Sequence, residues 1–192
     1  MKVIQLHQEE KQLIMLAVEN NRQAQQQIYA KFSSKMLSVC RQYIKDIHHA
    51  EDVMITGFMK VFTNLKNFEH KGSFEGWIRR IMVYECIDFL RVKKNNFNHQ
   101  DIDDITVSEN ESVYEMEDFS VDDIQNMIDN LPDGYKMVFN LYAIEGYKHQ
   151  EIAEMLKISE GTSKSQLSHA RKLLQQQITD LKNKLNDIAT IR

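Results

Sequence analysis

The chain has 192 residues, 42% of them apolar and 9% aromatic, and a formal net charge of −4. This length suits one ordinary domain or two small ones, and a single proline with six glycines leaves few of the turn residues that an all-β chain needs. No run approaches the ~18 apolar residues of a membrane span, and the N-terminus turns polar before a signal-peptide core can form, so we expect a cytoplasmic helical protein.

Apolar residues recur at steps of three or four through most of residues 1–96, the spacing that places them on one face of a helix. Gly72 interrupts this pattern within residues 68–74, where we expect a loop. The pattern therefore predicts a helical domain over residues 1–96. The predicted helices are one marked by Leu13, Leu16 and Ala17, and others within residues 28–44, 53–65 and 77–90.

Negative charge is concentrated in the middle of the chain. Residues 101–123 contain ten Asp or Glu and no Lys or Arg, so the rest of the chain has 24 basic against 18 acidic residues. This stretch lacks a helical apolar period, whereas both of its flanks have one. We therefore predict an acidic flexible linker over residues 97–121, between two domains whose excess of positive charge is typical of DNA-binding proteins.

Residues 122–192 predict a second helical domain that contains a helix-turn-helix. Earlier helices end at Pro132 and near Gly146, and a short helix follows at about residues 149–156. The next helix begins after Ser159, a residue type that caps helix N-termini. Two short amphipathic segments with such a tight joint are the pattern of a helix-turn-helix, whose second helix enters the major groove of DNA.

The second helix of this motif has a polar face near its N-terminal end. Its basic residues are suited to neutralise phosphates, and its other polar residues offer hydrogen-bonding groups to base edges. A solvated face without a ligand is the alternative interpretation, but the short helix, the turn and the capped second helix together favour duplex DNA. The candidates are Thr162, Lys164, Ser165, Gln166, Ser168, His169, Arg171 and Lys172.

Basic and aromatic residues alternate around the loop of the first domain and along the helix that follows it. Such a mixture suits single-stranded DNA, because bases stack on aromatic rings while cations hold the backbone. The alternative is that the aromatic residues belong to the core, and for Trp77, which shares a stripe with Ile81, this is the better interpretation. The candidates are Phe68, Lys71, Ser73, Phe74, Trp77, Arg79, Arg80 and Tyr84.

The chain shows no pattern of a metal, cofactor or catalytic site. Cys40 and Cys86 lack the CxxC spacing, and we expect both to be buried apolar residues. His48 and His49 are adjacent, so on a helix they point about 100° apart and do not form the i, i+4 pair that zinc-binding helices use. We expect these histidines to end a helix, and we do not expect an enzyme.

Three segments closely resemble the extracytoplasmic-function (ECF) sigma factors of bacterial RNA polymerase: AEDVMITGFMKVF, GSFEGWIRRIMVYECIDFL, and LPDGYKMVFNLYAIEGYKHQEIAEMLKISEGTSKSQLSHARKLL. The resemblance implies an all-α fold, in which a helical bundle like sigma region 2 precedes a helix-turn-helix like sigma region 4. It implies a factor that binds core polymerase and directs promoter recognition, DNA melting and initiation. The implied partners are the polymerase beta-prime clamp and beta flap, promoter DNA and possible anti-sigma factors.

The same resemblance assigns roles to residues. The helix from Ala50 to Leu65 would dock on the beta-prime clamp, residues 68–74 would capture a flipped base of the −10 strand, and residues 77–90 would split the duplex. The second helix of the helix-turn-helix would read the −35 element. The implied polymerase contacts are Asp52, Thr56, Met59 and Lys60.

The chain departs from the family pattern at five positions. The family usually has Gln-Glu at Ile55 and Thr56, Asn at Tyr84, and Arg at Gln166 and His169. These departures affect the predicted clamp contacts and the promoter sequence.

A glycine also lies inside the helix that is predicted to dock on the polymerase. Gly57 lowers the stability of this helix by about 1 kcal/mol relative to alanine. Close packing against a partner helix would explain why a glycine is present there. The structure of this helix tests that explanation.

A conventional helix-turn-helix regulator is the alternative function. Such a protein binds duplex DNA by itself, usually as a dimer, and has a sensing domain at its N-terminus. This interpretation gives no role to the basic and aromatic residues of the first domain. The two functions differ in whether DNA binding requires polymerase.

Overall fold

The computed structural model describes the backbone of residues 2–96 and 119–190, and the side chains of residues 9–92 and 119–183. The chain divides into two compact units, residues 1–97 and residues 98–192. Every regular element in the described ranges is helical, which confirms the all-α prediction. Residues 97–118 of the predicted acidic linker lie outside the described residues.

Unit 1 (residues 1–97) consists of four α-helices and one short 3-10 helix, all packed as a bundle. The second, third and fourth helices contact one another extensively, and the first packs on the second. The helices are α1 (Lys2–Val18), α2 (Arg22–Tyr43), α3 (Ile47–Asn64) and α4 (Phe74–Asn96), with the 3-10 helix at Leu65–Asn67 between α3 and α4.

Polar caps fix where α2 and α3 begin. The Ala24 N–H donates to the Asn21 side chain at 3.1 Å, and the His49 N–H donates to the Asp46 carboxylate at 2.9 Å. The hydrogen bond from the His49 N–H is the main cause that lowers the pKa of Asp46. His48 and His49 lie in the first turn of α3, so the prediction that they end a helix is wrong.

The buried face of α1 differs from the predicted one. Ile14 and Ala17 are buried, whereas Leu16 is 46% exposed. Residues 13–18 of α1 are apolar at every position, so more than one phase of the three-to-four spacing fits them, and the contacts of α1 with α2 select the phase. Leu16 is therefore a surface residue of unit 1.

The core of unit 1 is continuous across α2, α3 and α4. Both cysteines are buried in it as free thiols, as predicted. Each fully buried aliphatic side chain stabilises the unit by roughly 1.5–3 kcal/mol. The fully buried side chains include Ile28, Met36, Val39, Tyr43, Val61, Leu65, Ile78, Met82 and Val83.

Gly57 of α3 packs directly against Met82 of α4. A Cβ atom at this position would lie 2.3 Å from the Met82 Sδ atom, and Met82 is fully buried. The Lys60 ammonium on the next turn of α3 forms an ion pair with Glu85 of α4, whose side chain is 9% exposed. Close packing against α4 therefore explains the helix-interior glycine.

In its described residues, 119–190, unit 2 (residues 98–192) has four α-helices and one π-helical turn. Ser120 and Asp123 form a capping box at the first of them, and the π turn ends before Gly146, whose φ of 78° is the left-handed conformation that favours glycine. The elements are α5 (Val121–Asp129), α6 (Asp133–Phe139), the π turn (Asn140–Ile144), α7 (His149–Leu156) and α8 (Glu160–Thr190).

In unit 2, α6 and α7 pack extensively against the long helix α8, and α5 contacts α8 less. A buried ion pair joins α5 to α6, with 3.7 Å between the Lys136 Nζ and Asp129 Oδ1 atoms. No helix in the described parts of the chain is both long and apolar enough to cross a membrane. Among the described side chains of unit 2, the buried apolar ones are Met127, Ile128, Leu131, Val138, Leu141, Ile152, Met155, Leu167 and Ala170.

We predict that Gly57→Leu destabilises unit 1 by about 1–3 kcal/mol, because the added side chain crowds the fully buried Met82. Leucine is a good helix former, so helix propensity does not cause the loss. Gly76→Leu is the matched control, because Gly76 is exposed on α4 and its Cβ position meets only Ser73. Urea unfolding of the full chain measures both variants, and equal stability of the two would contradict the packing explanation.

Candidate nucleic-acid interface

The helix-turn-helix consists of α7, a three-residue turn and the start of α8. Lys157 ends α7 in the left-handed conformation with a φ of 57°, and its N–H donates to the Ala153 carbonyl. The Thr162 N–H donates to the Ser159 Oγ atom at 2.9 Å, so Ser159 caps α8 as predicted. Both predicted helix starts and the end of α7 are therefore confirmed.

Apolar packing and one side-chain hydrogen bond hold the two helices of this motif together. Ile152 of α7 is fully buried with Leu167 and Ala170 of α8. Ser163 is also fully buried, and its Oγ atom lies 2.9 Å from the His149 Nδ1 atom. These contacts fix the outward face of α8, because they leave little freedom for the helix to rotate about its axis.

The eight predicted DNA-binding residues of α8 lie on its first four turns, but they differ in exposure. Lys164, Ser165, Ser168 and Arg171 are exposed. The other four are half-buried. These four are Thr162, Gln166, His169 and Lys172.

The N-terminal turn of α8 carries an ion pair between two exposed residues. The Lys164 Nζ atom lies 2.7 Å from the Glu160 carboxylate, four residues earlier. This hydrogen bond, followed by the charge of Lys164, lowers the pKa of Glu160. Exposed pairs of this kind contribute little to stability, so the Lys164 ammonium is able to exchange its carboxylate for a phosphate.

Two tyrosines outside α8 support side chains of its polar face. The Tyr135 ring stacks on the His169 ring with 5.4 Å between centroids and 13° between planes. The Arg171 guanidinium lies over the Tyr142 ring at 5.7 Å. The sequence analysis did not identify either tyrosine, because spacing within α8 carries no information on its neighbours.

The loop of residues 68–73 in unit 1 lies over an aromatic cluster. Phe68 and Phe74 are buried, and their ring centroids are 5.1 Å apart. Trp77 is half-buried, with its ring 5.5 Å from Phe68 and 6.0 Å from Phe74. The two buried phenylalanine rings therefore pack under the loop, and Trp77 is the most exposed of the three aromatic residues.

The backbone of the 68–73 loop turns sharply at two left-handed residues, His70 with a φ of 56° and Gly72 with a φ of 88°. The His70 ring packs edge-on against Phe68 at 4.9 Å and is itself exposed. Lys71 is exposed and pairs with Glu69 at 2.7 Å. His70 is a candidate contact that the sequence analysis missed, since an isolated histidine in a loop gives no pattern.

The remaining predicted residues of this site follow the loop along α4. Ser73 is exposed, and its Oγ atom accepts a hydrogen bond from the Gly76 N–H. The Arg80 guanidinium lies over the exposed Tyr84 ring at 5.8 Å, and Arg79 is half-buried. The structure therefore places an arginine and a tyrosine side by side on the surface of α4.

The outward face of α3 combines polar and apolar residues. Asp52 and Thr56 are exposed. Ile55 lies between them in sequence and is 49% exposed, and Met59 follows Thr56 and is 66% exposed. Lys60 is also exposed, although its ammonium is held by Glu85. The four predicted polymerase contacts thus lie on a single helix face that includes two exposed apolar side chains.

Two protein-family models match the chain. The model described as Sigma-70 region 2 matches residues 28–96, and the model described as Sigma-70, region 4 matches residues 121–174. Together they match more than half of the chain, and each falls within one structural unit.

Several curated proteins are similar to the chain over most of its length. The ECF RNA polymerase sigma factor SigW of Bacillus subtilis is 29% identical over 163 residues, which are 78% of this chain and 86% of that protein. The ECF RNA polymerase sigma-E factor of Haemophilus influenzae is 24% identical over 169 residues, 80% of this chain and 87% of that protein.

Solved structures also match the chain, and one of them illustrates the shared fold. It is the sigma factor RpoE of Bartonella quintana in complex with the anti-sigma factor NepR, which matches with a TM-score of 0.52 and 18% identity. The match covers 80% of this chain and 96% of that chain.

Proposed function

The chain belongs to the sigma-70 family, in its ECF group, and from this premise we propose how its two units divide the work of promoter-directed initiation. Unit 2 binds the −35 element as duplex DNA. Unit 1 binds the separated −10 strand and docks on the polymerase. The observation that carries the proposal is that one chain has both a helix-turn-helix and, in the other unit, a loop with the exposed Lys71 beside the half-buried Trp77 of α4.

The start of α8 supplies the proposed −35 contacts. Lys164 and Arg171 are exposed cations that neutralise phosphates, and Ser165 and Ser168 lie between them on the same exposed surface. Gln166 and His169 reach the base edges from the half-buried side of this face, and Thr162 and Lys172 complete the interface. The polar face of α8 therefore provides both positioning and base readout.

The 68–73 loop and α4 supply the proposed contacts of the melted strand. Extruding a base from the stack costs a few kcal/mol, so the receiving site must be formed in advance. The buried Phe68 and Phe74 rings hold the loop in a fixed conformation, while Lys71, Ser73 and the exposed part of Trp77 face the strand. Arg79, Arg80 and Tyr84 continue the site along α4.

The outward face of α3 is the proposed docking surface for the beta-prime clamp of the polymerase. Asp52 and Thr56 offer polar contacts, and Met59 is the more exposed of the two apolar residues that the interface would bury. Lys60 adds a cation at the edge of this face. The beta flap is the proposed partner of unit 2, and we propose a cytoplasmic location because the polymerase works there.

An anti-sigma factor is a further proposed partner. The structure of RpoE with NepR contains such a partner for another protein with this fold. An anti-sigma factor would act by covering the surfaces that polymerase or DNA require, which is a matter of competition between partners.

Run-off transcription with purified core polymerase tests the proposal as a whole. We expect specific initiation on genomic fragments only when the chain is added. A conventional regulator would instead bind its DNA without polymerase, whereas the tandem arrangement binds strongly only when polymerase holds both units at the promoter spacing. Tight specific binding of the free chain together with no run-off product would favour the regulator.

We predict that Met59→Glu lowers affinity for core polymerase at least tenfold, because it places a charge in the buried part of the proposed interface. Met15→Glu is the matched control, since Met15 on α1 is 63% exposed against 66% for Met59. Binding is measured with labelled chain in the absence of DNA. Equal affinities of the two variants would show that this part of α3 does not contact polymerase.

We predict that Lys164→Ala weakens holoenzyme binding to −35 duplex DNA by roughly tenfold, with a shallower dependence on salt, because one phosphate contact is lost. Lys182→Ala is the control, because Lys182 lies on the same helix about 27 Å from Lys164 along the axis. At that distance physiological salt screens its charge from the phosphate that Lys164 would bind. A salt slope that is unchanged by Lys164→Ala would contradict the phosphate contact.

We predict that Lys71→Ala and Trp77→Ala impair opening of the −10 region while leaving polymerase binding intact. Lys71 is exposed in the 68–73 loop, so Lys71→Ala removes a contact with the phosphate backbone of the DNA strand and leaves the packing of unit 1 unchanged. Trp77→Phe is the conservative control that keeps a ring against Phe68. Permanganate reactivity of unpaired thymines measures opening, and normal reactivity in both alanine variants would refute the assignment.

A further inference from the structure

The ring contact between α6 and α8 joins a residue outside the helix-turn-helix to a proposed base-reading side chain. Tyr135 of α6 is half-buried and stacks on His169 in a nearly parallel arrangement. We propose that Tyr135 is a positioning residue, which holds the His169 imidazole in one orientation and so determines the base pair that it prefers. This inference rests on the proposed −35 function of unit 2.

The stack matters because a histidine on a helix surface has several accessible side-chain orientations. Offset aromatic pairs favour one arrangement by roughly two- to twelvefold in population. An imidazole that is held in place presents its ring nitrogens in a fixed direction, and a fixed direction is the requirement for discrimination between base edges. Tyr135 acts through His169, and nothing in the proposal requires it to touch DNA.

The adjacent glycine leaves room for a second proposed base-facing residue. Gly134 lies under the Gln166 amide, so that a Cβ atom at Gly134 would come within 3.2 Å of the Gln166 Nε2 atom. Gln166 is one turn before His169 on α8. The dipeptide Gly134–Tyr135 therefore underlies both of the half-buried side chains that we propose to read bases.

Tyr142 offers a comparison within the same unit. Its ring contacts Arg171, the proposed phosphate contact, and stacks on His149 of α7 at 4.6 Å. Loss of this ring should disturb a cation that binds every sequence alike. Tyr135 and Tyr142 are thus predicted to differ in effect, the first on base preference and the second on affinity for all sequences.

The test is selection from a duplex library, randomised across the −35 region, by polymerase holoenzyme formed with the full chain. The variants are Tyr135→Leu, Tyr135→Phe, His169→Ala and Tyr142→Leu. We expect Tyr135→Leu to lower preference at one base pair by roughly tenfold, at the same pair as His169→Ala, and to have no further effect when the two are combined. Tyr135→Phe retains the stack and should retain the wild-type preference.

Three results would overturn the inference: an unchanged preference in Tyr135→Leu, a change at base pairs other than those of His169→Ala, or the same change in Tyr142→Leu. If Tyr135→Leu fails to fold, nuclear Overhauser contacts between the rings of Tyr135 and His169 in the wild-type chain replace it, and their absence refutes the stack. A wild-type holoenzyme that enriches no sequence would refute the proposed function itself, which distinguishes the two failures.

Discussion

Burial of one apolar stripe along each helix is the constraint on which both units depend. Ile28 and Ile78 in unit 1, and Ile152 in unit 2, are fully buried. Each such side chain stabilises the fold by roughly 1.5–3 kcal/mol, more than a surface ion pair contributes. Because a stripe covers only part of a helix, the opposite side is free to carry charge, and the exposed cations of α8 lie there.

At the contact between α3 and α4, burial of apolar side chains joins the proposed polymerase-binding helix, α3, to the helix of the proposed −10 site, α4. Gly57 allows the two helices to approach, and Met82 fills the space that a side chain would take. Next to them, Lys60 neutralises Glu85, a carboxylate that is almost completely buried. Loss of Lys60 would leave that charge without its ion-pair partner, so a residue on the surface of α3 also supports the packing beneath it.

Charge and aromatic residues have to be interpreted by their location. The net charge of −4 by itself would argue against nucleic acid, yet residues 101–123 have ten acidic and no basic residues, and the rest of the chain has more basic than acidic residues. Likewise, Phe68 and Phe74 suit a stacking surface by residue type, but both are buried. In the proposed strand-binding site they would act by making the 68–73 loop rigid, while Lys71 and Trp77 retain exposed parts.

The sequence by itself determined the helical class, the bounds of α7, the cap at Ser159 and the family, because apolar spacing and capping are local properties of the chain. It did not determine the phase of α1, where Leu16 proved to be exposed, or the position of His48 and His49 at the start of α3. Nor did it indicate that Tyr135 stacks on His169 or that Met82 fills the space beside Gly57. Those contacts join residues on different helices, and only the packing of one helix against another decides which side chains meet.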